Sequence, residues 1–150
     1  MTLFTTRSML LDLFLKWVST KGFLSVVTQD TDKQILLRYQ PFWLDEYVIG
    51  EKHYHRPPWW RPFNILIHQW KQSSDEGMHD HPRWSITIVL KGSLIEKTPW
   101  GNKKLTPGSV VIRSHKAIHS FEVCEENTWT MFIVGRRNHK QNGYTVTPVK

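Results

Sequence analysis

Two histidines one residue apart, His79 and His81 in Gly77-Met-His79-Asp-His81-Pro82, are answered by His119, forty residues after the first. Side chains alternate along a strand, so an HxH pair there presents both imidazoles to one face. A third histidine on a neighbouring strand then closes a trio around one cation. Neutral imidazole donates a lone pair without carrying charge, which makes it the commonest metal ligand. Three neutral ligands leave the double charge of a divalent ion unbalanced and some coordination positions open. Such a centre suits an anionic, chelating substrate, for which the metal acts as Lewis acid and template. The bland alternative is a relic site whose histidines are hydrogen-bonded to one another or to water.

The elements that must hold these residues read as short strands between turn signals. Candidates are Gly22–Thr28, Gln34–Tyr39, Asn64–Trp70, His79–Leu90, Ser93–Thr98, Ser109–Arg113, His119–Cys124 and Thr128–Val134. Turns are expected at Asp30-Thr-Asp32, Trp100-Gly-Asn102, Pro107-Gly108 and Glu125-Glu-Asn127. Many short strands at close spacing point to an antiparallel sandwich or barrel. The apolar stretch Ser8–Val18 is interrupted by Asp12 and Lys16 and has no small-residue cleavage site after it, so it reads as a helix rather than a signal peptide. Ser8 is its expected cap, Asp12 and Lys16 an i, i+4 pair, and Gly22 its stop. Residues 51–62, with three prolines, read as a long loop.

The spacing around the histidines adds more. Three residues separate His81 from Ser85 and six separate Ser85 from Gly92; Gly108 precedes His119 by eleven positions. This resembles the two motifs of the cupin superfamily without a gap. The stretches HDHPRWSITIVLKG, PGSVVIRSHKAIH and WTMFIVG together are similar to a small group of single-domain cupins, over roughly residues 35–136. Ser85 stands where those motifs carry a glutamate ligand, Ser114 and Lys116 replace the usual proline and glycine, and Val123 replaces a common asparagine. The resemblance implies an all-β double-stranded β-helix, a jelly-roll barrel, with an amino-terminal α-helix. Residues 1–30 are expected as that helix and the first strand packed on the barrel, 31–150 as the barrel itself, one domain overall. It also implies metal ligands at His79, His81 and His119, with Ser85 at a vacant fourth-ligand position. The three-histidine set resembles that of thiol dioxygenases and implies a metal-dependent, dioxygenase-like oxidoreductase acting on a small organic acid or related metabolite. The cofactor would be one divalent transition metal, iron first, with zinc, nickel, manganese or copper also compatible with imidazoles. A non-catalytic small-ligand-binding or sensory cupin is the alternative.

If His79 and His81 face a lumen, alternation brings Arg83, Ser85, Thr87 and Val89 inward and turns Trp84, Ile86, Ile88 and Leu90 outward, where the helix or a second subunit must cover them. A homodimer is therefore expected. His68, Arg83 and Arg113 are candidate catalytic or substrate-gripping residues, arginine because its planar fork matches a carboxylate. Asp80 alternates away from its neighbours, and His115 reads as solvent-facing. The single cysteine, Cys124, excludes an intrachain disulfide, fits a cytoplasmic location and reads as a small buried hydrophobe. No stretch is suited to crossing a membrane.

The charge balance supports a third class. Lysine and arginine total 20 against 13 acids, giving +7. Between Glu51 and Asp75 no acid occurs, while Lys52, Arg56, Arg61 and Lys71 are interleaved with Tyr54, Trp59, Trp60, Phe63 and Trp70. A further basic run, Arg136, Arg137, Lys140 and Lys150, follows the last acid. Such interleaving can bind single-stranded nucleic acid by charge and stacking. A solvated basic face is preferred, with Trp59 or Trp60 packed on the barrel mouth as a pocket wall.

Overall fold

A computed structural model describes residues 3–21, 23–28, 34–42, 45–49, 52–56, 58–73, 77–81 and 83–136. Helix α1 (Leu3–Lys21) precedes β1 (Phe23–Thr28), β2 (Gln34–Gln40), β3 (Asp45–Ile49), β4 (Lys52–Arg56), β5 (Phe63–Trp70) and β6 (Ser85–Lys91). β7 (Leu94–Thr98), β8 (Gly101–Leu105), β9 (Val110–Arg113), β10 (Ser120–Val123) and β11 (Thr128–Gly135) follow. A six-stranded antiparallel sheet runs β1-β2-β5-β11-β6-β9, and a three-stranded sheet runs β10-β7-β8. β3 and β4 form a separate hairpin.

The apolar core is divided by the large sheet. On its inner face Leu36, Trp70 and Val89 meet Leu94 and Leu105 of the small sheet. On its outer face Leu15 and Val18 of α1 lie against Tyr39 and Ile67, with Leu90 and Met131 at the margin. This sandwiching explains why β5 is buried on both sides: Leu66, His68 and Trp70 face the lumen while Ile67 faces the helix. β6 keeps the expected alternation, with Ser85, Thr87 and Val89 buried and Ile86, Ile88 and Leu90 only partly covered. The ladder gives the lumen successive rungs. His68 opposes Thr130 and Thr130 opposes Val89; Phe132 lies between Leu66 and Thr87; Val134 opposes Ser85, and Ser85 opposes Arg113.

The turns at Pro107-Gly108 and Glu125–Asn127 are where the sequence places them. Gly92 and Gly108 have φ of 75° and 90°, and Asn127 has 60°. Gly92 has a second constraint, since a Cβ there would come within 2.9 Å of the Thr128 Cα.

Several expectations need correction. The strand proposed for His79–Leu90 begins only at Ser85; His79 makes an isolated bridge and His81 lies outside any strand. The loop proposed for 51–62 contains β4, and the turn at Trp100–Asn102 opens β8, whose exposed sequence GNKKL carries no apolar alternation. Ser8 lies inside α1, which starts at Leu3. Asp12 pairs with Lys91 at 3.0 Å, tying α1 to the end of β6. Cys124 is exposed, one residue past the end of β10. The helix stop at Gly22, the turn at Asp30–Asp32, the proline at Pro82 and the basic residues from Arg137 onward lie outside the described residues.

Candidate metal centre

His79 and His119 face each other across a two-bond antiparallel bridge, each amide donating to the other's carbonyl at 3.0 Å. This bridge, rather than a continuous strand, sets the site. His81 follows two residues later, and its ring centroid lies 4.8 Å from that of His79 and 5.1 Å from that of His119. One donor nitrogen from each of the three lies within 4.8 Å of the others.

The second nitrogens show how the rings are oriented. His79 Nδ1 lies 3.0 Å from the Gly77 carbonyl oxygen. A carbonyl only accepts, so Nδ1 carries the proton and Nε2 keeps its lone pair. His119 is 1% exposed, and neither of its ring nitrogens has a hydrogen-bond partner. Its Nδ1 looks toward Glu96 Oε1 at 3.5 Å, longer than an ordinary hydrogen bond. Buried polar atoms are almost always paired. A divalent cation at the convergence of three imidazoles would satisfy the free lone pair, so this donor set fits a transition metal.

Glu96 was not legible as a site residue. It sits on β7 of the small sheet, shares a face with Leu94, and is paired across the strand with Phe121. The one signal available was an acid on the inward parity of Ser93–Thr98. Its carboxylate binds Arg113 Nε at 2.6 Å, and Arg113 Nη1 donates to Thr87 Oγ1 at 2.8 Å. The guanidinium also lies over the Phe121 ring, 5.0 Å from its centroid, and Phe121 in turn makes an edge contact with His119. Arg113 thus lies beside the histidines as half of a buried ion pair.

Electrostatics follow from this burial. Burial first, then the charges of His119, His79 and Arg113, pushes His81 down to about 3. His119 is also lowered, chiefly by burial, with Arg113 acting in the same direction and Glu96 against it. Burial alone would raise the Glu96 carboxyl; contacts with His119 and Arg113 outweigh it and hold it at about 2. Near neutrality the site thus presents neutral His81 and His119 imidazoles beside a compensated Arg113–Glu96 pair, the protonation state that metal ligation needs.

His68 does not join the cluster. It is buried and accepts a hydrogen bond from Arg38 Nε at its Nε2, 3.1 Å away, so the lone pair of a base is already engaged. Burial, and then the Arg38 charge, lowers its pKa well below the usual histidine range. Phe132 makes ring contacts with both His68 and His81. Arg83 is partly buried just before β6 rather than within it, so strand alternation does not bring it inward. Ser85 is 1% exposed on the inner face with Oγ unpartnered.

No family model matches the sequence, and no curated protein matches it. Solved structures do. KdgF of a Halomonas species aligns over 81% of this chain and 94% of its own, with a TM-score of 0.58 at 12% identity. The DMSP lyase DddQ of Ruegeria pomeroyi aligns over 91% of this chain and 66% of its own, with a TM-score of 0.59 at 13% identity. A cupin-2 domain from Rhodospirillum rubrum covers 85% and 76%, with a TM-score of 0.57 at 10% identity. The fold is that of the cupins.

The three histidines converge, and Ser85 is buried on the inward parity of β6. The lumen has an internal carboxylate nonetheless, supplied by β7. The expected pocket wall is different. Trp59 and Trp60 are 84% and 65% exposed, so neither closes the barrel mouth. Arg61, between them and β5, is buried instead and binds the Phe63 carbonyl and Asn64 Oδ1. Arg136 Nη2 donates to the Trp59 carbonyl, which holds the backbone of this turn but leaves the indole in water.

Proposed function

We propose that the chain is a metal-binding cupin that holds one divalent transition metal on His79, His81 and His119 and catalyses a metal-dependent, dioxygenase-like oxidation of a small organic acid. The carrying observation is the convergence of three imidazole donors within 4.8 Å, one of them fully buried with both nitrogens unpartnered. The metal would supply Lewis acidity and a template for a chelating substrate. The chain's own residues do the rest. Gly77 fixes the His79 tautomer, Glu96 faces Nδ1 of His119, and Phe121 and Phe132 pack apolar walls against the imidazoles. The similarity of fold to KdgF and to DMSP lyases is compatible with small-molecule chemistry in this barrel. Residues 1–30, as a segment packed on a barrel of 31–150, belong to the same proposal.

Metal analysis of protein purified without a histidine tag tests it. Stoichiometric iron with oxygen consumption on a carboxylic acid supports the enzyme. Metal-free protein that still binds small acids points to the non-catalytic ligand-binding cupin instead.

A homodimer is proposed on the outer face of the large sheet. Val110 and Ile112 are exposed on its edge strand opposite Ile88 and Ile86, beyond the reach of α1. Apolar surface left in water costs about 25 cal/mol per Å², and a second copy would cover it. A monomer by light scattering at high concentration overturns this assembly. Among the described residues no helix is long and apolar enough to cross a membrane.

The exposure of Trp59 and Trp60 keeps a nucleic-acid accessory role as a second reading. Fluorescence titration with a single-stranded oligonucleotide decides it: binding that weakens steeply with salt favours this reading, because phosphate contacts release counterions.

A further inference from the structure

We infer that Ser85 and Arg113 form a carboxylate-binding subsite beside the three histidines, which rests on the metal-centre reading for the ligand's second contact. The two residues are direct partners across β6 and β9, and both are inward and buried, at 1% and 5% exposure. Ser85 Oγ and Arg113 Nη2 are unpartnered buried polar atoms, and the remaining two of that kind among the described residues are the ring nitrogens of His119. Glu96 ties the groups together in space, since its Oε1 touches Arg113 Nε at 2.6 Å and faces His119 Nδ1 at 3.5 Å.

The guanidinium is a prepared donor. Its Nε is held by Glu96, its Nη1 by Thr87, and its face by the Phe121 ring. These contacts fix the plane, so the direction of Nη2 is fixed as well. Preorganised donors of this kind lose little freedom when a ligand arrives. An arginine N–H only donates, so the ligand atom must be an acceptor. The hydroxyl of Ser85, directly opposite on the same rung, donates as well.

Two donors suit one oxygen-rich, singly charged group. A phosphate dianion would leave most of its acceptors unmet. Charge matters too: Glu96 already offsets Arg113, so a monoanion shared with a divalent metal is tolerated where a dianion without further cations is not. Val134 flanks Ser85 on the side away from Arg113.

The test uses the full chain loaded with zinc, which is redox-inert, and glycolate as probe, with glycolamide as its neutral counterpart. Calorimetric titration is expected to show glycolate binding roughly tenfold or more tighter than glycolamide, the range for a hydrogen bond to a charged group. Ser85→Ala and Arg113→Lys are each expected to weaken glycolate by roughly tenfold, because lysine lacks the planar fork. Zinc stoichiometry should stay at the wild-type value in both. Ser85→Ala should also keep the wild-type melting temperature, since the deleted hydroxyl has no partner in the protein. Equal affinity for glycolate and glycolamide, wild-type glycolate affinity in both variants, or no glycolate binding by the wild type overturns the subsite. Failure of the wild type to hold zinc overturns the metal reading separately. The same variant comparison in metal-free protein then decides the subsite.

Discussion

Replacing Glu96 by glutamine removes the anion that compensates Arg113 inside the barrel. The side chains of the pair are only 4% and 7% exposed, so solvent does not screen them. Arg113 would keep its hydrogen bond to Thr87 but retain an unbalanced charge under the Phe121 ring. Breaking a buried pair from one side costs about 3–5 kcal/mol. Glutamine still accepts from Nε, so the lower end applies. Against a total stability of about 5–15 kcal/mol this is a large fraction. At roughly 2–4 °C per kcal/mol for a chain of this size, the melting temperature should fall by about 6–12 °C. Glu96→Leu combined with Arg113→Met removes both charges and should recover most of the loss, because an apolar pair has no desolvation penalty. Urea unfolding of the metal-free protein measures all three. A Glu96→Gln variant within about 1 kcal/mol of wild type, or a double variant no better than the single one, would refute the assignment of this pair as a buried, mutually dependent unit. Because Glu96 faces His119, the single variant should also bind metal about 10–100-fold more weakly.

Ser85→Glu is expected to tighten metal retention against a chelator, by placing a carboxylate at the proposed fourth-ligand position; weaker retention would sink the positional reading of Ser85. Acid should destabilise the metal-free protein. His81 is held at about 3 when folded against 6.5 when free, so below pH 6.5 the unfolded chain binds a proton that the folded chain refuses. This contribution to stability is complete above pH 6.5 and is lost as pH falls toward about 3, and Glu96, held at about 2 against 4.5, continues the loss at lower pH. Thermal melts at pH 7.5 and pH 5 check the sign, and an equal or higher melting temperature at pH 5 contradicts it. Gly92→Ala should cost about 1–3 kcal/mol by denaturant titration, since its φ of 75° is strained for any L side chain and Thr128 blocks the Cβ; a neutral substitution would mean that the turn relaxes.

The histidine trio, the motif spacing and most of the strands were readable from the chain itself. These are local signals: period-two alternation, a Pro107-Gly108 turn, and glycine or asparagine where φ is positive. Gly92 and Asn127 each announce a turn because few other residues adopt that backbone at low cost. Strands without such a pattern were missed. β8 exposes four of its five residues and anchors only Leu105, so its pairing with β7 leaves no apolar trace. The tertiary structure alone decided which side chains of different strands meet. Glu96 and Arg113 are 17 residues apart, lie in different sheets, and become an ion pair only when the two sheets close over the lumen. Within the large sheet, the pairing of β2 with β5 sets Arg38 opposite His68, leaving the candidate base without a free lone pair. The packing also left the indoles of Trp59 and Trp60 in water, while Arg61 beside them is buried against the start of β5. Burial is a property of the whole packing arrangement, and a residue's type and neighbours in sequence do not determine it.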